Sequence, residues 1–181
     1  MSIGGEHPRS DARDKVTGAA RYPADRVRPD SLHARVVFSN EPHARMRSMD
    51  TSAAEAVDGV VAVVTAADVP VNEYGLTMFD QPVLIGVEHT GRSTVDASVS
   101  RWEADKVAVV IAESEAAATE GARRIEIEWE RLPVVADIDA ALTDEVLVHP
   151  ETTSNAYYRL AIRKGDLDAG WAEADVIIED T

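Results

Sequence analysis

Cysteine is absent from the 181 residues, which excludes disulfides, thiolate zinc sites, cysteine-ligated iron–sulfur clusters and a cysteine nucleophile. A redox centre of those kinds must come from another domain or subunit. No apolar run approaches the 18 residues a membrane span needs, and the opening Met-Ser-Ile-Gly-Gly-Glu-His has no apolar h-region. The reading is therefore a soluble, cytoplasmic protein. Basic residues are outnumbered 18 to 33 by acidic ones, and the formal charge of −15 opposes binding to a phosphate backbone or an anionic membrane. Also missing are G-x-S-x-G, G-x-x-x-x-G-K, G-x-G-x-x-G and the EF-hand loop, and no two histidines stand at the i, i+4 spacing of a helical metal pair.

What is present has the length and apolar content of one ordinary domain, or of one domain and the start of a second. Residues 1–30 hold glycines and prolines among many charges, and read as an extended arm. Leu32–Phe38 is a strand candidate that stops near Ser39-Asn40-Glu41-Pro42. A more polar segment, Ala44–Met49, leads to Ser52 and Glu55, whose capping-box spacing predicts a short helix ended by Asp58-Gly59. Val60–Val64 is apolar at every position, as in a strand covered on both faces. Residues 66–100 predict an irregular excursion with one or two short strands around Val83-Leu84-Ile85.

Val107–Ala112 is the strongest buried strand. Ser114 follows as the cap of a helix whose small residues Ala117, Ala118, Gly121 and Ala122 allow close approach to a sheet. Glu120 and Arg124 stand four apart in the favourable order. Ile125–Glu130 alternates strictly, so Ile125, Ile127 and Trp129 share one face and three glutamates the other. Asp137 caps a short helix through Leu142, and Thr143–Asn155 reads as a polar connection. Tyr157–Ile162 is a strand candidate. Gly165-Asp166 opens a helix bearing Leu167, Trp171 and Ala174, and Val176-Ile177-Ile178 opens a further strand at which the chain stops, which points to truncation.

The residues able to carry chemistry give no constellation. His33 and His43 sit in a strand and a turn, where structural roles outweigh metal ligation. Glu126, Glu128 and Glu130 fit a solvated sheet face better than a carboxylate or calcium site. Arg13 and Lys15 beside Gly18 could meet an anionic group, or pin the arm by salt bridges to an acidic body. Trp102, Trp129 and Trp171 default to core or interface packing. No catalytic, cofactor-binding or metal-binding residue is assigned to the chain.

Taken in order, these segments resemble the large, molybdenum-binding subunit of the xanthine dehydrogenase and aldehyde oxidase family of molybdenum hydroxylases. The opening run is matched by Arg9, Asp11, Ala12, Lys15, Val16, Thr17, Gly18, Ala20 and Tyr22, and the next signature by Ser39, Pro42, His43, Ala44, Arg45 and Asp50. Gly59-Val60, Asp68-Val69-Pro70, Pro82-Val83-Leu84, Val107–Glu113, Leu132-Pro133-Val134-Val135, Asp137 and Gly165-Asp166 follow. Ala104-Asp105-Lys106 stands where the family most often has Gly, an acidic or polar residue, and Pro, a departure that bears on the local turn.

The resemblance implies an α+β fold, the α/β-hammerhead, with a mixed sheet and short helices packed on it. It also implies an incomplete start of the molybdopterin-binding domain. The division it suggests is an arm at 1–12, the hammerhead at 13–142, a linker and connecting strand at 143–164, and that start at 165–181. It implies a whole enzyme that hydroxylates an aldehyde or N-heterocycle with water, using molybdopterin, iron–sulfur clusters and FAD held outside this chain. The implied partners are the rest of the large subunit and iron–sulfur and flavin subunits or domains, with no nucleic acid and no membrane. A free-standing acidic assembly or binding module without enzymatic activity is the alternative.

Overall fold

The structure is a computed structural model that describes residue 4 and residues 9–26, 28–73, 81–89, 95–162 and 164–180. The chain divides into two compact units, Met1–Leu132 and Pro133–Thr181.

Among the described residues of the first unit, six strands form two three-stranded sheets. The strands are β1 (His33–Phe38), β2 (Ala44–Asp50), β3 (Val60–Val64), β4 (Val99–Ser100), β5 (Lys106–Ala112) and β6 (Glu126–Arg131). One sheet has the order β1-β5-β3 and the other β4-β2-β6. Every pairing among the described residues is antiparallel, so the α+β architecture is built as two small sheets rather than one mixed sheet. β5 is central because it can be: Val107, Ala108, Val110 and Ala112 are all fully buried. Met46, Ile85, Val107 and Ala108 form an apolar cluster, joined by Val37 and Val63 from the first sheet and by Met49, Ile127 and Trp129 from the second.

The helices follow short-range signals. α3 (Glu115–Arg123) begins where the Ser114 side chain accepts a hydrogen bond from the Ala117 N–H at 3.1 Å. It lies against β1 and β5. Gly121 permits this approach, since a Cβ there would stand 2.9 Å from Val110 Cγ1 and 3.1 Å from Val60 Cγ2. The Glu120–Arg124 pair closes at 2.8 Å on the outer side.

Four expectations are corrected in this unit. The arm is not extended throughout: α1 (Ala12–Val16) and a 3-10 turn at Pro23–Arg26 form within it. The prolines lie outside α1, Lys15 pairs with Asp11 one turn back at 2.7 Å, and Gly18 takes φ +74° just after it. The one-turn helix α2 (Ser52–Glu55) has Thr51 as its cap residue rather than Ser52, with no side-chain cap hydrogen bond. Asp50 accepts from the Ser52 N–H at 2.8 Å, and Thr51 Oγ1 donates to Glu55 at 2.7 Å, so the capping-box spacing is not used. Among the described residues β3 pairs with β5 alone, and Val61 is 55% exposed where the register slips between Val60 and Ala62. The polar segment after Pro42 is itself the central strand of the second sheet.

The excursion after β3 contains a 3-10 turn at Ala66–Asp68 and the two-residue β4. Leu84 and Ile85 are buried without belonging to a strand. Asn72 stands in for a neighbouring strand there: its amide donates to the Leu84 carbonyl at 2.8 Å and accepts from the Leu84 N–H at 2.9 Å. Gly75 and Gly91 of the same excursion, and His7 of the arm, lie outside the described residues.

The second unit holds two helices. Asp137 caps α4 (Ile138–Leu142) by accepting from the Ala140 N–H at 2.7 Å, and Asp166 caps α5 (Leu167–Glu173) through the Ala169 N–H at 3.0 Å. The polar connection folds around Asn155. Its side chain accepts from the Val148 N–H and donates to the Ala141 and Val146 carbonyls, while its own N–H donates to Asp144. Tyr157–Ile162 and Val176–Ile178 are not strands. Ladder formation needs a neighbour whose backbone groups can pair, and the described part of this unit supplies none.

Candidate functional site

The residues singled out by sequence are scattered rather than convergent. His33 is half-buried on β1, and His43 is buried beside β2, where its carbonyl accepts from the Leu132 N–H at 3.0 Å. His149 Nδ1 lies 3.0 Å from Glu151 in the second unit. Among the described residues no group of three His, Cys, Asp or Glu side chains could hold a metal ion. Lys15 of the cationic run is held by Asp11 of the arm itself, not by an acidic body.

The glutamates of β6 face outward as the alternation predicts, but part of their charge is matched across the strand pair. Arg45 stands opposite Glu130 in register, 4.0 Å away, and Arg47 bridges the same carboxylate. Ser48 donates to Glu128 at 3.3 Å. Arg45 also pairs with Asp96, which accepts from the Ser98 hydroxyl at 2.6 Å. Partial burial alone would raise the Asp96 carboxyl, yet the hydrogen bonds from Ser98 and Arg45 outweigh it and lower its pKa from 3.8 to about 2.

Sequence reasoning missed a polar cluster of the first unit, at the turn Ala104-Asp105-Lys106. Asp105 accepts from the Arg101 N–H at 2.8 Å, the Trp102 N–H at 3.1 Å and the Ser100 hydroxyl at 3.3 Å. The buried hydroxyls of Ser100 and Ser39 meet at 2.8 Å, and Ser39 Oγ donates to the Trp102 carbonyl at 3.1 Å. A carboxylate thus organises the turn. The available signal was Asp105 itself, placed after a run of backbone donors. The cluster ties the Ser39–Glu41 loop to the start of β5 and contains no group free to react.

One open cleft of about 400 Å³ lies along β2, the Ala66–Asp68 turn and Gly86–Glu88. Its walls include Met46, Met49, Ser48, Thr51, Thr65 and Glu88. Gly86 shapes it, since a Cβ there would fall 2.5 Å from the Ala66 Cβ.

The second unit presents apolar surface. Tyr157, Tyr158, Leu160 and Ile162 are exposed along one extended segment, as are Leu167 and Trp171 of α5 and all of Val176–Ile178. Of the three tryptophans only Trp129 packs on the core; Trp102 and Trp171 are at least half exposed.

A family model described as the a/b hammerhead domain of aldehyde oxidase and xanthine dehydrogenase matches residues 17–133. The chain is similar to the nicotinate dehydrogenase large molybdopterin subunit of Eubacterium barkeri, at 35% identity over 99% of this chain and 40% of that protein. It is also similar to the xanthine dehydrogenase of Dictyostelium discoideum, at 29% identity over 93% of this chain and 11% of that protein. The solved aldehyde oxidoreductase of Desulfovibrio gigas superposes with a TM-score of 0.74 at 30% identity, over 96% of this chain and 19% of that one. The chain therefore spans less than half the length of these relatives.

Proposed function

The chain belongs to the aldehyde oxidase and xanthine dehydrogenase family through its a/b hammerhead domain, and from that premise we propose that it is the N-terminal structural segment of the molybdopterin-binding subunit of a molybdenum hydroxylase. In this reading the whole enzyme inserts a water-derived oxygen at a carbon of an aldehyde or N-heterocycle, and two electrons leave toward iron–sulfur centres and a flavin. In this proposal the molybdenum cofactor is held outside this chain, and no catalytic, cofactor-binding or metal-binding role falls to the described residues. No chemical step is assigned to them. The chain's own part is to fold and to present surface to the rest of the large subunit and to iron–sulfur and flavin partners.

The observation that carries this reading is the exposed apolar surface of the second unit, from Tyr157 to Ile178, beside a hammerhead match that ends at residue 133. Apolar side chains left exposed in this number mark a site where further protein packs. The division into arm (1–12), hammerhead (13–142), connection (143–164) and the start of the next domain (165–181) belongs to the same reading. It is supported by a core that lies in the first compact unit and by the separate cap of α5 at Asp166. Among the described residues no helix is long and apolar enough to cross a membrane, and a cytoplasmic enzyme completes the proposal.

The test is the mass of the native polypeptide recognised in its source cells by an antibody against this chain. The proposal expects a band at least twice the 19.6 kDa of these residues. A native product of that mass itself would replace it with a free-standing acidic module.

A further inference from the structure

We draw no further inference here: the strongest candidate, the open cleft of about 400 Å³ between β2, the Ala66–Asp68 turn and Gly86–Glu88, shows no unpartnered buried polar side chain among the described residues, and nothing in the structure shows what covers it.

Discussion

Gly86 and Asp96 show how much single residues decide here. A methyl group at Gly86 would lie 2.5 Å from the Ala66 Cβ, so Gly86→Ala must push the Ala66 turn outward. The expected cost is about 1–3 kcal/mol, read as a lower urea midpoint at unchanged slope. Asp96 is held near pKa 2 in the fold, against about 4 for an unfolded aspartate. Its lowered value stabilises the fold fully above about pH 4, and that contribution is lost as pH falls through 2. The carboxylate is partly exposed, so the effect is on the order of 1 kcal/mol. Asp96→Asn is expected to be less stable than the parent by that amount at pH 6 and by clearly less at pH 2, in denaturant titrations at the two pH values. A gap as large at pH 2 as at pH 6 would contradict the assignment. Caps were legible residue by residue at Ser114, Asp137 and Asp166, because the acceptor and its donor stand three apart in sequence. The Asp105 turn was not, because its Ser39 arm comes from more than sixty residues away.

At the scale of elements, β5 and α3 were readable from composition and period alone. An unbroken aliphatic run has to be buried, and a helix of alanine and glycine can approach it closely. The same logic overstated β3: an apolar run fixes the strand, while covering its faces depends on neighbours that arrive from elsewhere. Tyr157–Ile162 and Val176–Ile178 failed for a related reason, since strand propensity without a pairing partner leaves backbone groups to water. Two substitutions separate local from long-range control. Ser114→Ala removes only the α3 cap and is expected to cost about 1 kcal/mol. Asp105→Ala removes the acceptor shared by the Arg101 and Trp102 N–H groups, and is expected to cost more, about 2–3 kcal/mol. Equal midpoint shifts for the two in chemical denaturation would mean that the Asp105 turn is not a joint of the fold.

For the whole molecule, the two compact units make different demands. The first unit contains the shared core of both sheets, so residues 1–132 alone are expected to unfold cooperatively and to bind little of a dye that reports exposed apolar surface. The full 181 residues are expected to bind clearly more, because Tyr157–Ile162, Leu167, Trp171 and Val176–Ile178 stay uncovered. Equal dye fluorescence from the two would remove the structural support for a missing packing partner. The sequence made the hammerhead legible because its signals are repeated in order along the chain. The candidate residues it singled out, His33, His43 and Lys15, sit at separate elements among the described residues. The most direct test of the central claim is the molybdenum content, by elemental mass spectrometry, of the native protein captured from its source cells with an antibody against this chain. The account predicts about one molybdenum per polypeptide; native protein recovered intact without molybdenum would contradict it.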